Sequence, residues 1–330
     1  MKLRSISFAA AILATATALA GCGTINDGTT HPAATGSTKE VKKILFDYPF
    51  TALPVYAAVV KHAQEEAAKQ HVTLELTNDN MDLTQQVTNL TTYLNKDLDA
   101  VVSFPADAAS LENLSRQYIN SGKYWVSYAN SMSTQSALLG LSAHQSGLAL
   151  GEHAGKWITD NLGGTGKVLI VSDTTMRFSS ERTQGMVDGL KASAPNAVIV
   201  SQQAGVTPQQ GLSVTTSVLS QYPDLNVVLT TAGDAAQGAY QALTTAGRDP
   251  KDPRTYVGGL DGNAYGLQRM QEGAFFRAQV TLSAADIGKA IVDIPISLGK
   301  GDTNAGIEVP ITLLSADTPD LAKYISEFSG

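Results

Sequence analysis

Beyond Glu40 the chain alternates short apolar runs of about four to six residues with amphipathic stretches of about ten to sixteen. Runs at 44–46, 74–76, 100–102, 125–128 and 138–141 are predicted strands, with predicted helices at 55–70, 83–95 and 108–120 between them. The cycle then repeats, with helices at 148–161, 181–192, 209–220, 235–245 and 264–271 and strands at 168–171, 198–200, 227–229 and 256–257. Strands that are apolar almost throughout, alternating with helices, predict parallel sheets covered on both faces. Nine such strands fit two sheets better than one. Gly163-Gly164-Thr165-Gly166 and Gly247 stop helices. Asp107 and Pro208 stand at helix starts.

The first 39 residues depart from this pattern. A basic start, Met1-Lys2-Leu3-Arg4, precedes an uncharged apolar stretch from Ile6 to Ala20, which is the layout of a secretory signal. The stretch is short for a membrane-spanning helix. It closes on Leu19-Ala20-Gly21-Cys22, a run that resembles the lipobox of bacterial lipoproteins. That resemblance implies cleavage before Cys22 and a lipid on the new N-terminal cysteine, so the expected location is extracytoplasmic, on a membrane face. The plainer alternative is an ordinary signal peptide with a cysteine by chance near its cleavage site. Residues 22–39 are rich in Gly, Thr, Ser and Pro without apolar period and read as a flexible tether.

Cys22 is the single cysteine of 330 residues, so an internal disulfide is excluded. The net charge of −7 and the lack of a concentrated basic block argue against nucleic acid as a partner. After the signal, the remaining length suggests two domains.

In open parallel sheets, ligands bind beyond the carboxyl ends of the strands. The residues there are Asp47-Tyr48-Pro49-Phe50, Ser103-Phe104-Pro105, Asn130-Ser131, the loop from Asp173 to Arg182, 230–234, and Asp261-Gly262-Asn263. The set is polar and aromatic, with no histidine cluster and no activated nucleophile. Gly166-Lys167 ends a glycine-rich run, but Val168 follows and the run precedes a strand, so it is no phosphate loop. Asp47, Asp173, Asp234 and Asp261 are carboxylates that could pair as acid and base, yet carboxylates at strand ends equally describe a cleft for a polyhydroxylated ligand. No cofactor or metal is called for.

These strand-end residues resemble the ribose-binding type of periplasmic sugar-binding proteins, which serve ABC importers. The resemblance runs from about Lys42 to Gly299. It is carried by Leu53-Pro54-Val55-Tyr56, Val101-Val102-Ser103-Phe104-Pro105-Ala106-Asp107, Glu181-Arg182-Thr183-Gln184-Gly185-Met186, Gly233-Asp234-Ala235-Ala236-Gln237-Gly238-Ala239, Val257-Gly258-Gly259-Leu260-Asp261-Gly262 and Ala284-Ala285-Asp286-Ile287-Gly288. It implies two doubly wound α/β domains, 40–144 with 283–311 and 145–282 with 312–330, joined by a three-segment hinge with the ligand cleft between. It also implies a monomer that meets a membrane permease.

By position, the resemblance makes Arg182 the ligand-binding arginine and Asp261 the aspartate after the late strand, whose carboxylate accepts from paired hydroxyls. Asn130 takes a place the family often gives to Asp, and Tyr56 is an aromatic that packs on the sugar. Asp47, Tyr48, Phe50, Phe104 and Asp234 complete the expected ligand contacts. The same residues have plainer roles: Arg182 on a helix surface, Asp261 in an Asp-Gly turn, the aromatics in a core. Ser131, Ala232, Val206 and Leu282 replace an arginine, an asparagine, a phenylalanine and a glutamine of ribose binders. The loss of polar partners shifts the expected ligand from ribose toward a tetritol, a pentitol or another pentose. The alternatives are a secreted carbohydrate-active enzyme using Asp47 or Asp261, and the ligand-binding subunit of a sensory system.

Overall fold

The computed structural model describes residues 38–51, 53–173 and 176–328. The signal segment and Cys22 lie outside the described residues, as does nearly all of the tether.

The first half of the chain runs β1 (Lys43–Tyr48), α1 (Pro54–Lys69), β2 (Thr73–Asn78), α2 (Leu83–Leu94), β3 (Ala100–Ser103), α3 (Ala108–Asn120), β4 (Tyr124–Tyr128) and β5 (Ala137–Leu141). There follow α4 (Ala143–Leu162), β6 (Lys167–Ser172), α5 (Arg177–Ser193), β7 (Val198–Ala204), α6 (Pro208–Gln221), β8 (Val227–Thr230), α7 (Gly233–Thr245) and β9 (Tyr256–Leu260). The chain closes with α8 (Ala264–Gln271), β10 (Phe276–Leu282), α9 (Ala284–Gly299), β11 (Ile307–Val309), β12 (Ile311–Ser315) and α10 (Leu321–Phe328).

Two six-stranded sheets result, in the orders β2-β1-β3-β4-β5-β11 and β7-β6-β8-β9-β10-β12. Every pairing is parallel except β10 with β12, which is antiparallel. The expected fold class is therefore what forms. The strands are apolar throughout because both faces are covered. On one side of the first sheet Ile44, Phe46, Val102 and Val126 pack with α1 and α9; on the other Leu45, Val101 and Trp125 pack with α2 and α3.

The chain passes between the sheets three times. After β5 it crosses at Ser142 into α4, which packs on the second sheet through Leu150, Ala154 and Ile158. After β10 it returns at Ser283, whose hydroxyl caps α9, and Ile287, Ile291 and Ile294 of that helix join the core of the first sheet. Pro310 separates β11 in one sheet from β12 in the other.

Five elements went unread in the sequence pattern: β10, α9, β11, β12 and α10. In β10 the apolar run is broken by Arg277 and Gln279, and both are accommodated by specific partners. The Arg277 guanidinium donates to the carbonyls of Thr255 and Asp252, each at 2.9 Å, and stacks on Trp157. Helices α4 and α5 also start about four to five residues earlier than apolar periodicity indicated. The first turn of α5 has no side-chain cap and buries Phe178, so its start is set by packing.

Helices α4 and α5 approach at backbone contact. A Cβ on Gly147 would stand 1.9 Å from the carbonyl oxygen of Arg182, and one on Gly185 would stand 2.1 Å from that of His144. Only glycine permits this approach, and it fixes the turn of α5 that carries Arg182.

Candidate functional site

Arg182 sits on the second turn of α5 and is almost wholly buried, its side chain 4% exposed. It is not the surface helix residue that its sequence context also allowed. Its Nη1 donates to Asp261 Oδ2 at 2.8 Å and to the Thr231 carbonyl at 3.0 Å, and its Nη2 donates to Asp261 Oδ1 at 2.5 Å. This is the two-pronged pairing for which a guanidinium is preorganised. The Arg182 Nε is buried and has no hydrogen-bond partner.

Asp261 follows β9 with φ +70°, and Gly262 follows with φ +73°. A non-glycine residue in the left-handed region is uncommon, and such strain clusters at functional sites. The conformation is held by Asp261 N donating to the Val280 carbonyl at 2.9 Å and by the Thr281 hydroxyl donating to the Asp261 carbonyl at 3.3 Å. It turns the carboxylate toward Arg182 while leaving it 27% exposed, so one face stays open to a ligand.

Phe178 lies one turn before Arg182, and its ring centre is 4.3 Å from the guanidinium carbon. The ring meets Phe104 edge-on, at 6.2 Å and 82°, and Phe104 meets Tyr128 edge-on at 5.4 Å. Phe104, just past β3, and Tyr128, in β4, lie on the first lobe and Phe178, on α5, lies on the second, so this chain of rings spans the cleft. Tyr56, on the first turn of α1, packs against the core cluster of the first sheet to which Tyr128 belongs. Both phenols are pushed well up from the usual range, chiefly by burial and further by the negative charge of Asp261.

The remaining expected residues divide. Phe50 is partly buried with its ring 6.0 Å from that of Tyr56, and Tyr48 stacks at 5.7 Å on the core ring of Phe46. Asn130 donates to the Pro105 carbonyl at 2.8 Å and lines a cavity of about 360 Å³ with Asp107, Ser131, Met176, Arg177 and Glu181. This cavity joins the β3 and β4 ends to the start of α5. Asp234, in the first turn of α7, accepts from Asn263 Nδ2 at 3.1 Å; burial raises its pKa and the charge of Asp261 adds to the rise. Asp47 is a correction. It is fully enclosed beneath the strand ends, where its Oδ2 accepts from Gln86 Nε2 at 2.8 Å and from the Ser103 hydroxyl at 2.7 Å. A carboxylate with no exposed surface cannot touch a ligand.

Tyr128, Phe178 and Gln279 are elements here that sequence reasoning did not single out, and Asn263 was placed at a strand end without a role. Phe178 had a signal, because an aromatic four residues before an arginine on one helix shares its face; the predicted start of that helix at 181 hid it. Among the described residues no group of three or more histidine or acidic side chains could hold a metal ion, and no helix is long and apolar enough to cross a membrane.

Two parallel-sheet lobes with an Arg–Asp fork and aromatic walls between them define a solute receptor. The chain belongs to the periplasmic binding protein domain family, whose model matches residues 44–303, and it is a type I binding protein of the ABC-import class rather than an enzyme. Membership in this family places it outside the cytoplasm. It is 23% identical over 268 residues to the ABC transporter periplasmic-binding protein YphF of Escherichia coli, covering 78% of this chain and 81% of that one. It is 24% identical over 288 residues to a xylitol-binding protein of Mycolicibacterium smegmatis, covering 86% and 78%. The fold matches that of an ABC transporter periplasmic solute binding protein from Actinobacillus succinogenes with bound D-allose, at TM-score 0.76 and 16% identity, over 84% of this chain and 98% of that one.

Proposed function

We propose that this chain is the solute-binding lipoprotein of an ABC import system and captures a small sugar or sugar alcohol: a tetritol, a pentitol or a pentose. Its lobes, 40–144 with 283–311 and 145–282 with 312–330, close on a hinge at the three crossovers. The closed form presents the ligand to a membrane permease, and the lipid on Cys22 keeps the monomeric receptor near that permease after removal of residues 1–21.

The observation that carries this reading is the buried Arg182–Asp261 pair, with Phe178 stacked on the guanidinium and Phe104 of the other lobe against Phe178. A guanidinium and a carboxylate held side by side offer donors and acceptors to vicinal hydroxyls, and aromatic faces cover the ligand's C–H surface. Ser131, Ala232 and Leu282 stand where ribose binders carry larger polar groups, and Ala232 and Leu282 are buried, so the site is reshaped away from ribose toward a smaller or more flexible polyhydroxylated ligand. The relative named for xylitol agrees with a short polyol.

The test is a thermal-shift panel of erythritol, D-arabinitol, xylitol, D-arabinose and D-ribose. A cognate ligand at 100-fold excess over its Kd stabilises by about 2.7 kcal/mol. Stabilisation by a polyol that disappears in Arg182→Ala supports the reading, and no shift with any compound counts against it. Lipid attachment is read by mass spectrometry of the N-terminal peptide, with Cys22→Ser expected in the soluble fraction.

A further inference from the structure

Two carboxylates are buried together at the ends of β1 and β2. Asp47 is fully buried and Asp79 is 3% exposed. Each has one oxygen engaged: Asp47 Oδ2 by Gln86 and Ser103, and Asp79 Oδ1 by the Met81 amide at 2.6 Å. Each has one oxygen, Asp47 Oδ1 and Asp79 Oδ2, that is buried without a partner. The two side chains are within hydrogen-bonding reach of each other. Two buried carboxylates cannot both stay charged at such range, and an orphaned buried acceptor is costly. A single hydrogen atom removes both problems.

We propose that Asp47 and Asp79 share one proton, held between Asp47 Oδ1 and Asp79 Oδ2, and that this bond positions the aromatic segment 48–51 at the cleft. The segment is tied to the loop after β2 at further points. Asn78 Nδ2 donates to the Tyr48 carbonyl at 2.7 Å, and the amide and hydroxyl of Thr51 both donate to Asn80 Oδ1, at 3.2 and 3.1 Å. Asn80 and Met81 have φ +50° and +63°, a turn that the Asp79 carboxylate bridges. Loss of the shared proton sets two negative charges against each other across the seam between these segments.

Burial and the neighbouring Asp79 charge push Asp47 up to about 8, and burial pushes Asp79 up to about 6. The charge of Asp82, at the start of α2, adds to the repulsion on Asp79, and the phenol of Tyr118 on α3 also feels Asp47. The sign follows from linkage. The folded protein binds the proton more tightly than the unfolded chain, so the stabilisation is complete below about pH 4 and declines as pH rises through about 8.

The proton stands independently of the ligand; only its consequence for the cleft rests on the proposed function. The experiment therefore needs no ligand. Melting temperature is measured from pH 5 to 9 for the protein and for Asp47→Asn, whose amide can donate in place of the proton. Hydrogen exchange of residues 45–51, corrected for intrinsic rate, is followed at pH 6 and pH 9. The expected result is a melting temperature that falls with pH by roughly 5 °C or more in the parent. The Asp47→Asn profile is flatter, and exchange in 45–51 rises at pH 9 in the parent alone. Infrared spectra at pH 7 should show a protonated carboxyl band that Asp47→Asn removes, a readout that stands if the variant is poorly stable. Parallel pH profiles, equal exchange in the two proteins, or an absent carboxyl band would each overturn the proposal. So would a calcium-induced rise in melting temperature that Asp47→Asn abolishes, since a cation would then hold the two oxygens.

Discussion

Phe178 and Arg182 stack at 4.3 Å on one face of α5, and the far edge of Phe178 rests on Phe104 of the opposite lobe. The guanidinium of the proposed site is thus roofed by a ring that also touches the other lobe. An edge-on aromatic contact contributes about 0.5–1.5 kcal/mol beyond burial, and a partly desolvated cation–π contact about the same.

Phe178→Ala should therefore weaken ligand binding about tenfold, mainly through faster release. Phe104→Ala should do the same, and the double variant should be less than additive because the two rings share one contact. Stopped-flow dissociation of the ligand found by thermal shift reads this out. Full additivity would place the two rings in separate roles.

Asp261→Asn leaves the buried Arg182 charge without its counter-charge. Removing one member of a buried pair costs about 3–5 kcal/mol. The expected outcome is a marked fall in melting temperature together with loss of binding. Arg182→Met, which removes the charge and fills the space, should lose binding with a much smaller effect on stability. Denaturant unfolding of the two variants separates these cases.

Gly147→Ala drives a methyl group to 1.9 Å from the Arg182 carbonyl, so α4 and α5 must separate. Overpacking of this kind costs about 1–3 kcal/mol. Because the displaced turn carries Arg182, binding should weaken beyond what the stability loss explains. Gly163→Ala, with open space around its Cβ but φ +68°, should cost stability without touching affinity. Paired calorimetry and ligand titration check the contrast.

The combined change Ser131→Arg, Ala232→Asn and Leu282→Gln restores polar groups of ribose binders. It should raise the response to D-ribose relative to the parent's preferred polyol. An unchanged order of preference across the panel would show that these three positions do not set selectivity.

Much of this was legible in the linear pattern. The runs at 44–46, 100–102, 168–171 and 227–229 are apolar on both faces, which only a covered parallel sheet requires. Arg182 and Asp261 were legible through their surrounding motifs, although 79 positions separate them. Strand β10 was not, because Arg277 and Gln279 interrupt its pattern and their partners are remote in sequence.

Asp47 marks the boundary most sharply. Its place just beyond an apolar run put it at a strand end, and strand ends line ligand clefts. Whether such a carboxylate faces solvent or turns under the sheet depends on Gln86, Ser103 and Asp79, which arrive from three other elements. The same holds for Phe178, whose partners lie in both lobes. The amino-acid sequence alone determined most of the elements, the parallel character of the sheets and the chemical types available at the cleft, because local periodicity encodes burial. Tertiary structure alone decided which carboxylate meets Arg182 and which is sealed away, because burial and charge pairing are set by neighbours that only the folded chain brings together.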